Sequence, residues 1–250
     1  MYHIKAIGFD LFNTLITLEP PTLDRAMGCL ILSLRDNGFP IEHEPFTEAY
    51  GRATLRYLEE SRRDGRETHN RYWVSAALHA LGYPVSPDDP SISRAVDAYF
   101  SAFFHGCRLI PDTLEMLKVL GKKYRLGLLT NFTHPPAVRR IIDALDLSPF
   151  FEVVLISGEL GYCKPHPSVF RSLTDLLGAK RHQILYVGDD PEPDIMGARK
   201  AGLKPVWTTC VRDQKIPVAR GLFSKGYDRP DFQVPRISMW EELLSLLDLA

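Results

Sequence analysis

The sequence predicts an α/β protein with a parallel sheet, interrupted near its N-terminus by an all-helical insertion. Three observations carry that reading. The chain opens on a short apolar run, "IKAIGFD", that ends on Asp10. Residues 20–105 then show only helical spacing. From Ile110 onward short β-type runs alternate with helical ones, the pattern of a parallel sheet joined by right-handed crossovers.

Taken in order, the first run is apolar enough to become a buried strand. In "EPPTLDRAMGCLILSLRDNG" the residues Leu23, Met27, Leu30, Ile31 and Leu34 fall on one helical face, between Pro20-Pro21 and Gly38. Similar patterns run over about 46–62, 69–81 ("HNRYWVSAALHAL") and 92–104, separated by "RRDGRE" and "GYPVSPDDP". Helices are then expected at 113–121, 136–145, 167–177 and 194–201. The strands between them are "YRLGLLT", "FEVVLI", "QILYVG" and "PVWTT". In the tail, "DFQV" could add a strand and "MWEELLSLLDL" a closing helix.

The economical organisation is a core domain of residues 1–16 and 106–250 with a helical domain, 17–105, inserted after the first strand. That places Asp10 at the carboxyl edge of the sheet, beneath the insertion, where open α/β sheets bind ligands.

Composition narrows the function. With 30 Lys+Arg against 31 Asp+Glu and no block of like charge, nothing suggests a nucleic-acid or anionic-membrane surface. No apolar run approaches the roughly 18 residues of a membrane span, and the N-terminus lacks a signal-peptide layout, so a cytoplasmic location is expected. Cys29, Cys107, Cys163 and Cys210 are scattered without metal-site spacing and read as free thiols.

The chemistry sits at four expected strand ends: Asp10, Thr130-Asn131, Lys164, and Asp189 with Asp194 five positions on. Each has a local role open to it, as a turn former, a surface charge or a helix-start carboxylate. Together on one sheet edge they make a site. Several carboxylates with carbonyl and water oxygens suit a hard cation such as Mg²⁺. A lysine and a Thr/Asn pair opposite could hold phosphoryl oxygens while an aspartate attacks phosphorus.

At these residues the chain resembles the haloacid dehalogenase (HAD) superfamily of hydrolases. The matching stretches are "IGFDLFNTL", "LLTNFT", "GYCKPHPSVF" and "ILYVGDDPEPDIMGARKAG", in the superfamily's order. The resemblance implies a Rossmann-like, HAD-like core with a C1-type helical cap. It implies Asp10 as nucleophile, Thr130 and Lys164 as its catalytic partners, and Asn13 and Asn131 as substrate-binding support. It further implies Mg²⁺ held by Asp10, Asp189, Asp194 and the backbone carbonyl of Phe12. The implied activity is hydrolysis of a small phosphorylated substrate through an aspartyl-phosphate, by a monomer or homodimer. Two backbone amides after Asp10 would complete the phosphate cradle.

Phe12 departs from the pattern, since phosphatases of the superfamily usually carry an aspartate there as general acid and base. Losing a positioned acid is expected to penalise poor leaving groups by about 10²- to 10⁴-fold. The aromatic residue resembles superfamily members that displace halide from carbon, but those lack the acidic pair, whereas Asp189 and Asp194 are both present. A third reading is a retired phosphate-binding or interaction module. Among histidines, His166 and His134 are expected to order turns before helices, and Glu67 or His69 in the insertion are candidates to replace the missing acid.

Overall fold

The opening apolar run forms β1 (Ala6–Phe9), all four of its residues buried. It is followed by β2 (Ile16–Leu18) and then by helices α1 (Thr22–Asp36), α2 (His43–Asp64), α3 (Arg71–Ala80), α4 (Pro90–Ser101) and α5 (Phe103–Gly106). The chain returns through β3 (Cys107–Leu109) and then alternates: α6 (Thr113–Leu120), β4 (Arg125–Thr130), α7 (Pro135–Ala144), β5 (Val153–Ile156), α8 (Ser157–Leu160), α9 (Pro167–Leu177) and β6 (Ile184–Gly188). After a π-helical turn (Pro191–Met196) come α10 (Gly197–Lys200), β7 (Lys204–Thr208), α11 (Cys210–Asp213), β8 (Arg236–Ile237) and α12 (Trp240–Leu246). The computed structural model describes residues 4–219 and 233–249.

Among the described residues the main sheet has six strands in the order β5-β4-β1-β6-β7-β8, with every pairing parallel. β1 is central, with Phe9 opposite Leu128 of β4 and Val187 of β6. The chain order turns around at β1, which is the point where such sheets open a crevice at their carboxyl ends.

Alternation along the strands divides the core. Ile7 and Phe9 pack with Leu126, Leu128, Leu185 and Val187 on one face. There Phe9 meets Phe151 and Trp240 edge to face, at 6.4 and 6.5 Å. Ala6 packs on the other face with Leu129, Leu173, Ile184 and Tyr186. A Cβ on Gly8 would fall 2.7 Å from Leu173 and 2.9 Å from Tyr186, so the absence of a side chain there is what brings α9 and Tyr186 close.

In the insertion, α1 packs along α4 and α2 against α3. The face expected for α1 is the one it uses: Ala26, Leu30, Ile31 and Leu34 are buried and Pro21 precedes its first turn. α4 starts where Asp89 accepts from the Ser91 backbone at 2.8 Å, with proline at its first position.

Most expected elements are present within about three residues. The exceptions are short. β2 and β3 pair as an antiparallel ribbon at the two ends of the insertion, unforeseen because three-residue strands carry no readable alternation. The helix expected over 92–104 ends at Ser101 and restarts as α5, and that expected over 194–201 is a π-turn followed by α10. In "DFQV", Asp231 and Phe232 lie outside the described residues; β8 follows two residues after Val234. All four cysteines are free thiols, and no described helix is long and apolar enough to cross a membrane.

Candidate active site

Asp10 directly follows β1 and is 7% exposed, its backbone N–H donating to Val187 O at 2.9 Å. The Lys164 ammonium, also buried, donates to Asp10 Oδ1 at 2.6 Å, to Asp194 Oδ1 at 2.7 Å and to the Tyr186 hydroxyl at 3.1 Å. One carboxylate oxygen from each of Asp10, Asp189 and Asp194 lies within 4.8 Å of the others. Residues from positions 10 to 194 thus meet at the sheet's carboxyl edge.

Each is placed by its own local device. Lys164 is set by Asn131: the Lys164 N–H donates to Asn131 Oδ1 at 2.7 Å, and Asn131 Nδ2 donates to Lys164 O at 2.9 Å. Asp189 follows β6, its carbonyl accepting from the Trp207 indole at 2.8 Å. Asp194 is 1% exposed on the π-turn, where the Asp190 N–H donates to its Oδ2 at 3.0 Å. A Cβ at Gly188 would lie 2.4 Å from Asp194 Cγ, so only glycine lets that turn close over the strand end. Thr130 ends β4, 1% exposed and opposite Ile156 of β5.

The electrostatics are those of three carboxylates around one ammonium. Burial pushes the Asp10 carboxyl up to about 6; Lys164 opposes the shift and Asp194 adds to it. Burial likewise raises Asp189 well above the usual carboxylate range, with Asp10, Asp194 and Asp190 adding to it. For Lys164, burial favours loss of the proton, but Asp10, Asp194 and Tyr186 outweigh it and hold the ammonium charged. The cluster carries more negative charge than one lysine offsets. Its all-oxygen donor set fits a hard divalent cation.

Other expected residues are placed differently. Asn13 adopts a positive φ of 58°, and its N–H donates to Ile16 O at 2.6 Å, closing the turn after the nucleophile loop. The Phe12 ring stacks on Phe132. Both polar atoms of the Asn131 side chain are engaged by the Lys164 backbone, a positioning arrangement. Glu67 accepts from the Ser157 hydroxyl and from the Thr68 N–H, while His69 meets His134 across the boundary between insertion and core. His166 caps α9 by accepting from the Ser168 N–H, as expected, but His134 reaches sideways to Asp97 and His69.

Three contributors went unnoticed in the sequence. Tyr186 accepts from Lys164 and donates to Leu129 O at 3.0 Å; a polar tip on an otherwise apolar central strand was its one signal. Thr14, fully buried, donates to Asp10 Oδ2 at 3.2 Å from four residues on. Asp190 caps the π-turn by accepting from the Glu192 N–H.

Comparison with known proteins agrees with this geometry. A family model described as haloacid dehalogenase-like hydrolase matches residues 4–202. The ribulose-1,5-bisphosphate 5-phosphatase of Halopiger xanaduensis is 30% identical over 203 residues, covering 80% of this chain and 83% of that protein. The glyceraldehyde 3-phosphate phosphatase of Pyrococcus abyssi is 32% identical over 208 residues, 82% and 81% of the two chains. In fold, a 2-haloacid dehalogenase from Pseudomonas syringae pv. Tomato superposes with a TM-score of 0.69 at 23% identity over 98% of both chains. Sequence match and fold converge on one assignment: the chain belongs to the haloacid dehalogenase-like hydrolases.

Proposed function

We propose that this hydrolase cleaves a small phosphoric monoester by way of an aspartyl-phosphate on Asp10. The observation that carries the reading is the retained acidic cluster: Asp10, Asp189 and Asp194 lie within ligand distance of one another, with Lys164 bonded to Asp10 and Asp194. Displacement of halide from carbon has no use for such a cation-binding set. The phosphatases named among the relatives support the same substrate class.

In this reading an Asp10 carboxylate oxygen forms the new bond to phosphorus as the ester oxygen departs. The departing alkoxide takes its proton from water, since Phe12 carries none. Water then attacks phosphorus, releasing phosphate and restoring the Asp10 carboxylate. Lys164 and Thr130 hold phosphoryl oxygens, and Asn131 and Asn13 set the loops that present them. Asp10, Asp189, Asp194 and the Phe12 carbonyl would hold Mg²⁺, which supplies charge neutralisation around the transferring group. We assign residues 17–105 as a cap and 1–16 with 106–250 as the core domain, a division supported by the β2–β3 ribbon where the chain leaves and re-enters the core.

One assay separates the readings: p-nitrophenyl phosphate hydrolysis beside halide release from 2-chloropropionate, each with Mg²⁺ and with EDTA. Phosphate release that needs Mg²⁺ supports the proposal. Halide release that persists in EDTA favours the dehalogenase reading, to which the Phe12 ring points.

A further inference from the structure

We propose that His69, His134 and Asp97 form a latch that fastens the helical insertion to the core and positions the loop after β4 for the reaction. His134 belongs to that loop, whereas His69 precedes α3 and Asp97 lies in α4, so the insertion grips the core residue from two elements. His69 Nε2 stands 3.2 Å from His134 Nδ1, and His134 Nε2 stands 3.2 Å from Asp97 Oδ1.

The direction of the chain follows from its far end. The Arg71 backbone N–H donates to His69 Nδ1 at 3.2 Å, so the proton of a neutral His69 ring is on Nε2. That proton is donated to His134 Nδ1, which leaves the His134 proton on Nε2, facing the Asp97 carboxylate. Every ring nitrogen of both histidines thereby has a partner, His69 Nδ1 in the Arg71 backbone and the rest within the latch. The His134 ring also lies flat on Phe100 of α4, 4.8 Å between centroids and 3° from parallel.

The same loop carries the contact inward. Two residues before His134, the Phe132 ring stacks on Phe12 and packs 5.1 Å from Phe100. One residue earlier, Asn131 brackets the Lys164 backbone. Displacing the insertion therefore displaces the segment that sets Lys164 and the ring behind Asp10. The catalytic consequence rests on the phosphatase reading; the fastening itself does not.

Cys163 supplies a reporter of that fastening. Its N–H donates to Gly65 O at 2.9 Å, its thiol lies 3.1 Å from Ser61 Oγ, and it is 9% exposed beneath the segment joining α2 to α3. The test measures Cys163 alkylation by iodoacetamide, mapped by peptide mass, together with kcat and KM for p-nitrophenyl phosphate with Mg²⁺. The full chain is compared with Asp97→Ala, Asp97→Asn, His134→Ala and the Asp97→Ala/His134→Ala double variant. The Asp97 side chain is 65% exposed, so its replacement leaves the fold intact.

The latch requires Asp97→Ala to raise the alkylation rate several-fold and lower kcat, Asp97→Asn to restore most of both, and the double variant to add nothing to His134→Ala. Unchanged alkylation in Asp97→Ala, or additive effects in the double variant, overturns it. If alkylation responds as required while the wild type releases no phosphate, the latch stands and the phosphatase reading fails. If the wild type is active and neither readout responds, the latch alone fails.

Discussion

The phenyl ring of Phe12 lies face to face with that of Phe132, 5.3 Å between centroids and 8° from parallel. Phe132 in turn packs against Phe100 and Phe103 of the insertion, at 5.1 and 6.0 Å. The position two residues past Asp10 is thus part of an apolar joint between core and insertion. Phe12→Asp gives up a stack worth about 0.5–1.5 kcal/mol beyond its buried area, so Tm should fall. It also restores an acid, and kcat/KM for glycerol phosphate relative to p-nitrophenyl phosphate should rise, by up to about 10²-fold. Steady-state kinetics on both substrates reads the ratio, and an unchanged ratio would exclude a role for this position in protonating the leaving group.

Tyr186 joins the site to the sheet. Its hydroxyl accepts from Lys164 and donates to Leu129 O. Tyr186→Phe leaves a buried carbonyl unpaired and the ammonium short of an acceptor, which should cost about 1–3 kcal/mol in a denaturant titration at neutral pH, with a fall in kcat. An unshifted unfolding midpoint would show that water replaces the hydroxyl without loss.

Gly188→Ala drives a methyl group into Asp194, whose Cγ would stand 2.4 Å away. Asp194 must move, and with it the acidic cluster. Calorimetric titration with Mg²⁺ should show affinity weakened at least about tenfold, about 1.4 kcal/mol. Wild-type affinity in the variant would mean that Asp194 is not a ligand.

Burial raises the Glu67 carboxyl above its ordinary value, against hydrogen bonds from Ser157 and the Thr68 backbone. With a raised folded-state value, its contribution to stability is complete below the unfolded value and is lost as pH climbs through the folded one. Glutamine cannot ionise and still offers the Ser157 hydroxyl an oxygen. Glu67→Gln should therefore match wild type in Tm at about pH 4 and exceed it at about pH 7. Thermal melts at both values check this, and a gain confined to the acid end would reverse the sign.

The strand and helix rhythm of the core was legible where an element is long enough to show a period, which the short α8, α11 and β8 are not. The strand-end residues Asp10, Thr130 and Asp189 were legible because polar residues seldom close an apolar run without a reason. Asn131 was readable as a site residue, but not its partner, because Lys164 lies 33 positions away. His134 read as a local turn residue since its partners come from separate parts of the insertion, His69 from the segment before α3 and Asp97 from α4. Phe12 looked like a missing acid; the ring that explains it, Phe132, is brought alongside only by the parallel pairing of β1 with β4.

The role of Asp10 as the nucleophile is tested most directly by following the phosphoryl group itself. Wild-type protein is quenched during turnover of p-nitrophenyl phosphate with Mg²⁺ and its peptides are mapped by mass, alongside Asp10→Asn. A phosphoryl group on the peptide carrying Asp10, with turnover by Asp10→Asn reduced to background, is the result the account requires. Sustained phosphate release by Asp10→Asn, or turnover in the wild type with the phosphoryl group on another side chain, would contradict it.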